Sequence, residues 1–490
     1  MSSLKQETIS GVKWGLLQKL TMHPLQLVYG MILARLVTPA EMGIIGLTAI
    51  FFAVGNQLAS AGFGMSLIRK LDRTEVDMST MFWSNLMMSF VIGSVLFLLA
   101  PWFVDFYGQP ELLWLTRVSS IMMFLNSSAG VHWALYQCKR DFKTPAIVNS
   151  ITSIAGMPLC LILAWQGWGV WALMWQSVFT TCLNLTIVWW ISPWKPQFIF
   201  SKDSFISLFS FGGKLAYGGI LHVLYSHAST FIIGKFFSPA QLGLYSRGIH
   251  LTSTIPATIN GILGGVIYPV LATVQNDNER LIPAYRMYIK MSTLIIAWMC
   301  MCTLSMGEPI VNLLYGKQWS GCVIFVKIAA LWVTFEHINS ININLLMVKG
   351  KANLMVGMDI IKKIISMTIL LISATISVEA ICWATAIYTQ IAIIINTFIV
   401  GKLSGLTWWK QQKDYMPYII WAAIACTPAC LCTMTNWPII LQLAAGGFSS
   451  FILYFGGLHI RHDKAYSEVY ELLRQKFASK WLPPLKTKSR

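Results

Sequence analysis

Long apolar runs, separated by short polar loops, follow one another along almost the whole chain. Each run has the length of about 20 residues that an α-helix needs to cross the hydrocarbon core of a bilayer. The pattern therefore predicts an all-α polytopic membrane protein. We expect about fourteen transmembrane helices, at residues 11–36, 41–64, 79–104, 112–137, 145–164, 168–191, 207–234, 240–268, 286–306, 321–348, 354–375, 378–400, 415–435 and 438–459.

Two nine-residue segments repeat each other at an offset of 200 residues. Segment 35–43 (RLVTPAEMG) and segment 235–243 (KFFSPAQLG) share a cation, a hydroxyl, Pro, Ala, a Glu or Gln and a Gly, in the same order. Lys13 falls against Lys214, and at an offset of 210 Arg117 meets Lys327 and Lys139 meets Lys349. Internal duplication of a membrane protein is typical of transporters, in which two similar halves move about a central site.

The duplication predicts how the helices are grouped. The first helix of each half begins on the same side of the membrane, so the halves are expected to be parallel repeats. We expect an N-lobe of six helices at residues 1–195 and a C-lobe of six helices at 196–401, around a central cavity. An extra helix pair at 402–460 and an amphipathic cytoplasmic tail at 461–490 complete the prediction.

Composition and charge agree with a membrane protein and predict its orientation. The chain is 56% hydrophobic and 11% charged, whereas soluble domains are roughly 25% charged. If the amino terminus is cytoplasmic, the outer loops contain only Arg35, Lys235 and Lys317, and most other cations lie in inner segments. The positive-inside rule therefore predicts cytoplasmic amino and carboxyl termini. It also accounts for most of the net charge of +17 without a nucleic-acid partner.

Several cations lie within predicted spans, where a charge costs about 2.5–3.5 kcal/mol unless it faces water or a partner. Lys290 can reach the cytoplasmic surface, and Asp359 stands at helical spacing from Lys362 and Lys363. Carboxylates within the spans are few. The prediction is a positively charged cavity that binds an anionic, phosphate-bearing cargo, with the substrate-binding candidates Lys19, Arg117, Lys214, Arg247 and Lys327.

Two smaller groups of residues are candidates for other roles. Ion coupling to H⁺ or Na⁺ is the hypothesis for Glu336, His337 and Asp359, since intramembrane carboxylates and histidines often carry protons. A cytoplasmic gate is the hypothesis for Arg69, Lys70 and Arg140, although loop cations more often serve topology. No cofactor is expected. No metal is expected either, because the cysteine clusters have no His or carboxylate at ligand spacing.

The order of motifs resembles the Wzx-type polysaccharide flippases, and most closely their colanic-acid-type branch, in the multidrug/oligosaccharidyl-lipid/polysaccharide exporter superfamily. The loop CKRDF at 138–142 resembles the basic-plus-Phe element of the family, whereas its second-half counterpart KGKA at 349–352 keeps only the charges. The resemblance runs over nearly the whole chain, through SGVKW at 10–14, LARLVTPAEMG at 33–43, AGFG at 61–64, LIRK at 67–70, STMFW at 79–83, GVWAL at 169–173, IGKF at 233–236, LGLYS at 242–246, YPVL at 268–271 and LYGKQW at 314–319.

This resemblance implies a fold and a function. The fold is two six-helix lobes around a central cavity. The function is to move undecaprenyl-diphosphate-linked oligosaccharide repeat units from the cytoplasmic to the periplasmic leaflet of the bacterial inner membrane, for O-antigen, capsule or exopolysaccharide synthesis. The expected partners are this lipid-linked cargo, membrane lipids, and the polymerase and chain-length components of the same pathway.

Three other classes of protein fit the sequence less well. A drug/cation antiporter of the same superfamily should have more carboxylates than bases in its cavity. A peptidoglycan-precursor (lipid II) flippase is also cationic inside, but the motifs fit it less well. A membrane enzyme such as a polymerase or glycosyltransferase would need a large outer loop or a soluble domain, and the longest outer loop here is only residues 307–320. The prediction is a transporter and not an enzyme.

Overall fold

The computed structural model describes residues 2–60 and 62–477. The chain divides into two compact units, residues 1–243 and 244–490. The side chain of Lys19 and residues 478–490, the end of the predicted tail, lie outside the described residues. The lobe boundaries expected from the repeat stay a prediction.

The first unit consists of helices joined by short loops. One pair, α4 and α5, packs together and against α2, while α6 packs against α7 and α1. Gly62, with φ of +69°, lies between α2 and α3 and lets the chain turn there. The helices are α1 (Ser2–Leu36), α2 (Pro39–Ser60), α3 (Phe63–Arg69), α4 (Glu75–Tyr107), α5 (Leu112–Cys138), α6 (Lys143–Trp165), α7 (Val170–Ile191), α8 (Lys202–Ser226) and α9 (Ala228–Phe236).

The second unit contains the rest of the chain, apart from the first residues of α10. Its centre is α11, which packs against α12, α15 and α17. A kink at Met306 interrupts α11, three residues before Pro309, a residue type that cannot continue the helical hydrogen bonds. The helices are α10 (Pro239–Thr273), α11 (Asn278–Leu314), α12 (Val323–Val348), α13 (Ala352–Ala374), α14 (Val378–Ser404), α15 (Trp408–Ala425), α16 (Thr427–Thr433), α17 (Ile439–Ile460) and α18 (Lys464–Phe477), with a 3₁₀ turn at Lys317–Cys322.

The prediction of an all-α polytopic membrane protein is confirmed. Each of the fourteen predicted spans corresponds to a helix or to a pair of consecutive helices. Within the described residues, nine segments are long and apolar enough to cross a membrane, judged by length and composition: Pro39–Ser60, Glu75–Tyr107, Lys143–Trp165, Val170–Ile191, Asn278–Leu314, Lys317–Val348, Val378–Ser404, Trp408–Thr433 and Ile439–Ile460.

Two predicted single helices are each divided in the structure. The predicted span 207–234 falls on α8 and α9, which are separated at His227, and the predicted span 415–435 falls on α15 and α16, separated at Cys426. In the second case Pro428 lies in the first turn of the new helix, where proline is favoured because its missing N–H is not needed. Hydropathy averaged over a window of about 20 residues does not reveal such breaks, because apolar residues follow on both sides of them.

An ion cluster fixes the carboxy-terminal helices to α11. The buried carboxylate of Asp414 on α15 accepts two hydrogen bonds from Arg286, at 2.7 and 2.8 Å, and lies 3.2 Å from Lys290 Nζ. Nearby, the buried Tyr454 hydroxyl on α17 donates to the Leu294 carbonyl at 3.0 Å. The extra helices are therefore an integral part of the second unit. From the sequence, Lys290 was expected to extend to the cytoplasmic surface. In the structure it pairs with Asp414 instead.

Candidate functional site

The repeated nine-residue motif begins two helices in the same way. In the first copy, Glu41 Oε2 accepts a hydrogen bond from Thr38 N at 2.7 Å, and Thr38 Oγ1 accepts one from Glu41 N at 3.4 Å. In the second copy, Ser238 and Gln241 make the same reciprocal bonds, both at 3.3 Å. This is the capping box, which satisfies the free N–H groups at a helix start. The recurring hydroxyl and Glu or Gln thus have a local structural cause.

The glycines of the two motifs allow the copies to contact each other. A Cβ atom added to Gly43 would overlap the carbonyl oxygen of Pro239, and one added to Gly243 would overlap that of Pro39. The contact is reciprocal, with each glycine facing the proline of the other copy. All of these residues belong to the first unit. The starts of α2 and α10 therefore meet through a backbone contact that any side chain would force apart.

Arg117, one of the predicted substrate-binding residues, is held by aromatic rings. Its guanidinium carbon lies 4.9 Å from the Phe97 ring centroid on α4 and 5.0 Å from the Trp114 ring centroid on its own helix. Both distances are within the range of cation–π attraction. The buried Nε atom of Arg117 has no hydrogen-bond partner among the described residues, and no carboxylate neutralises the charge there.

Arg247 on α10 has a similar aromatic environment in the second unit. Its guanidinium carbon lies 4.8 Å from the Tyr315 ring centroid and 6.0 Å from that of Trp319. Gly248, the next residue, faces Phe325 and Val326 of α12, because a Cβ there would meet both. Arg247 and Lys327 therefore lie on two helices that pack closely against each other.

The two remaining lysines with described side chains have no acidic partner. Lys327 is half-buried on α12, and its stem lies beside Gly307 of α11, where a Cβ would be 3.5 Å from Lys327 Cγ. Lys214 is exposed on α8. Among the ion pairs that the structure describes, none includes Arg117, Lys214 or Lys327. Within the described residues, no acidic side chain therefore neutralises any of these three cations.

The three candidates for ion coupling have different environments. Glu336 is exposed on α12, whereas His337 is buried and its Nε2 lies 2.8 Å from Thr293 Oγ1. Successive helical residues point about 100° apart, so the two side chains do not share a face. Asp359 forms an ion pair with Lys362 at 2.7 Å, which confirms the predicted helical pair.

The three candidates for a cytoplasmic gate differ in their contacts and backbone conformation. Arg69 lies over the Phe211 ring of α8, with 4.2 Å between the guanidinium carbon and the ring centroid. Lys70 forms an ion pair with buried Asp77 at 2.8 Å, and Asp77 also caps the start of α4. Arg140 has a positive φ of 55° in the α5–α6 turn. The first two residues join the α3 region to neighbouring helices.

A group of uncharged polar residues in the first unit was not predicted as a site. The Tyr29 hydroxyl on α1 donates to Gln176 Oε1 on α7 at 2.6 Å. Asn184 Nδ2 on α7 donates to Asn149 Oδ1 on α6 at 3.3 Å. The signal in the sequence was the spacing of Gln176, Thr180 and Asn184, which recur every four residues and so lie on one side of a helix.

Comparison with known proteins places these features in context. A family model described as "Polysaccharide biosynthesis protein" matches residues 32–324. The teichuronic acid biosynthesis protein TuaB of Bacillus subtilis (strain 168) is 22% identical over 428 residues, which cover 86% of this chain and 89% of TuaB. The lipopolysaccharide biosynthesis protein WzxC of Escherichia coli (strain K12) is 20% identical over 366 residues, covering 74% of each chain.

A solved structure shares the fold. The lipid II flippase MurJ in its inward closed conformation has a TM-score of 0.70 and 13% sequence identity, with 95% of this chain and all of the MurJ chain covered. At this identity the likeness concerns the fold alone. The resemblance to Wzx-type polysaccharide transporters, first seen in the sequence motifs, is confirmed by the family match and the curated relatives.

Proposed function

Because the chain belongs to the polysaccharide biosynthesis protein family, we propose that it is a flippase for lipid-linked oligosaccharides. The cargo is an undecaprenyl-diphosphate-linked repeat unit, which moves from the cytoplasmic to the periplasmic leaflet of a bacterial inner membrane, with both termini of the protein cytoplasmic. The product is an O-antigen, capsule or exopolysaccharide precursor, which pathway polymerase and chain-length components then use. The proposed activity is transport, not a chemical reaction.

The observation that carries this proposal is that Arg117, Lys214 and Lys327, which lie in predicted spans, form no ion pair among the described residues. A diphosphate loses its hydration when it enters a membrane, and charge-assisted hydrogen bonds from cations can replace that hydration. A carrier of cationic drugs would need carboxylates in the corresponding place. Lys19 and Arg247 are proposed members of the same cationic set.

Alternating access is the proposed mechanism, and the contact between Gly43 and Gly243 is its proposed outer closure. The starts of α2 and α10 meet backbone to backbone, so no long side chain has to rearrange when they separate. The two helix starts can therefore separate and meet again as rigid bodies. The repeated capping boxes keep the starts of α2 and α10 rigid while the contact opens. Arg69, Lys70 and Arg140 are the proposed inner gate.

The test is export in a strain that lacks its own flippase, with the leaflet of the accumulated lipid-linked sugar determined. We expect the cargo to accumulate on the cytoplasmic face without this protein and the accumulation to be relieved when the gene is restored. The double variant Arg117→Ala/Lys327→Ala should abolish export while its membrane level stays normal. Arg280→Ala, which removes an exposed cation paired with Asp277, is the control and should export normally. Export by the double variant at the wild-type rate would contradict the proposed role of the cations.

A further inference from the structure

A long region of the first unit has no charged side chains, so it does not contribute to the proposed binding of the diphosphate by cations. Residues 144–191, which form almost all of α6 and the whole of α7, contain no Asp, Glu, Lys, Arg or His. Their polar groups are hydroxyls and amides, which include Asn149, Gln176 and Asn184. Such groups can neither neutralise a phosphate nor hold a metal cation strongly. They suit a neutral ligand with many hydrogen-bonding groups.

Helix α6 has two exposed faces that point in nearly opposite directions. One is apolar and includes Ile147, Ile151, Ile154 and Ile162, which are 38–54% exposed. On a membrane span, such a stripe faces lipid. Asn149 is also exposed, but it lies roughly 200° around the helix from Ile147. Asn149 therefore faces accessible space on the side away from the lipid.

Helix α7 shows the same division. Trp175, Phe179 and Trp190 are 39–86% exposed and form its apolar face. Ser177 is exposed and Asn184 is half-buried, and both lie roughly 180–200° around the helix from Trp175. The non-lipid faces of α6 and α7 thus both present polar groups. A polar amide within a span is costly unless it has a partner or faces water.

The two helices bring their amides together in a fixed geometry. Asn149 and Asn184 are joined by the hydrogen bond of 3.3 Å. They lie about 9–11 Å from the start of α6 and the end of α7, which are on the predicted cytoplasmic side. Gly156 allows the close approach, because a Cβ there would overlap the Thr180 methyl group. One hydrogen bond leaves Asn184 with a free carbonyl oxygen and Asn149 with a free amino group, so the pair can both accept and donate.

We propose that the polar face formed by Asn149, Ser177 and Asn184 binds sugar hydroxyl groups of the lipid-linked cargo. Each sugar hydroxyl donates one hydrogen bond and accepts others, which matches the free groups of the amide pair. The cationic residues bind the diphosphate, and this neutral face binds the glycan. The inference rests on the proposed flippase function. It gives a binding site to the glycan, which is the part of the substrate that the cations do not bind.

The test compares two ligands on the purified full-length protein in lipid nanodiscs. The first probe is undecaprenyl diphosphate, and the second is the undecaprenyl-diphosphate-linked oligosaccharide extracted from a strain that lacks the protein. We expect the wild type to bind the glycosylated lipid about tenfold more tightly, which corresponds to about 1.4 kcal/mol. In Asn149→Ala/Asn184→Ala the two affinities should become equal, and the affinity for undecaprenyl diphosphate should not change.

The control variant is Ile151→Ala/Thr186→Ala, which changes the lipid-facing side of the same two helices and should keep the tenfold preference. If the amide variant loses affinity for undecaprenyl diphosphate as well, the nearly isosteric Asn184→Leu replaces it in the same comparison. A preference that persists in the amide variants would overturn the proposal. Equal binding of both lipids by the wild type would overturn this inference alone, whereas no binding of either would contradict the flippase function itself.

Discussion

Arg117, a proposed substrate-binding residue, is surrounded by aromatic rings and forms no ion pair among the described residues. A carboxylate beside it would cancel its charge, whereas the rings of Phe97 and Trp114 stabilise a guanidinium by about 0.5–2 kcal/mol and leave it positive. A guanidinium carries five N–H donors, and the buried Nε of Arg117 has no hydrogen-bond partner among the described residues. At the residue scale, the unusual property is therefore that no carboxylate of the described residues neutralises the Arg117 guanidinium.

Glu336 is the best of the three candidates for ion coupling, because the other two are already engaged. His337 contacts Thr293 and Asp359 is paired with Lys362, whereas no ion pair of the described residues includes Glu336. We expect a proton or sodium gradient to accelerate transport by wild-type protein in proteoliposomes, and Glu336→Gln to remove that acceleration. Glu379→Gln, which changes an exposed carboxylate in the first turn of α14, is the control. An undiminished response to the gradient in Glu336→Gln would exclude this role.

Residue identity alone could not have predicted these environments. Position within a span was enough to select Arg117 and Lys327 as intramembrane cations. The partner Phe97, however, comes from another helix, and so does Thr293, the partner of His337. A contact of this kind depends on how helices pack, which a hydropathy pattern does not encode. The Asp359–Lys362 pair was predictable because both residues lie on one helix at a spacing that brings them together.

At the element scale, the position of α15 against α11 depends on one buried carboxylate. Asp414 is 1% exposed and serves both Arg286 and Lys290. Removing one partner of a buried ion cluster costs about 3–5 kcal/mol, and the cost is lower here because the Arg286 side chain is 41% exposed.

We therefore expect Asp414→Asn to lower the free energy of unfolding by about 2–3 kcal/mol. Thermal unfolding in detergent would show this as a reduced Tm. Glu471→Gln breaks a more exposed pair with Arg474 and should change stability by less than about 1 kcal/mol. Equal stability of Asp414→Asn and the wild type would show that the cluster does not fix these helices.

The contact between the starts of α2 and α10 supports a second prediction at this scale. Gly43→Ala places a methyl group against the Pro239 carbonyl, and overpacking of this kind costs about 1–3 kcal/mol. We expect the contact to open and export to fall about tenfold or more. A cysteine at Ala40, in a background without the native cysteines, should then react faster with a membrane-impermeant maleimide added from outside.

Gly46→Ala is the matched control, because it lies on the same helix and no atom lies within 4 Å of its added Cβ. It should export normally and leave the labelling rate unchanged. If Gly43→Ala also behaves as the wild type, the contact between the two motifs is not part of the transport cycle.

Helices were the most predictable elements, and helix ends were less so. An apolar run long enough to cross a bilayer has to be helical whatever its neighbours are, so a helix was found at each of the fourteen predicted positions. The break at His227 could not be predicted, because no proline or glycine within five residues of it marks the end of a helix. The capping boxes were visible as a repeat, but their reciprocal contact through Gly43 and Gly243 required the structure.

At the scale of the whole molecule, the chain is a membrane transporter of polysaccharide biosynthesis, and its substrate is proposed to be recognised in two chemically separate ways. In this proposal, cations that form no ion pair among the described residues bind the diphosphate, and an uncharged polar face on α6 and α7 binds the glycan. The undecaprenyl tail needs no protein site of its own, because it can remain in the surrounding lipid. This separation predicts that a variant without the contacts to one part of the substrate still binds the other part measurably.

The most direct test of the central claim is translocation by the purified protein in proteoliposomes that contain undecaprenyl-diphosphate-linked oligosaccharide in both leaflets. A glycan-modifying enzyme added outside should modify about half of the lipid in protein-free vesicles and nearly all of it when active flippase is present. The account predicts nearly complete modification with the wild type and about half with Arg117→Ala/Lys327→Ala. Modification that stops at about half with well-folded wild-type protein, with an ion gradient of either kind imposed, would contradict it.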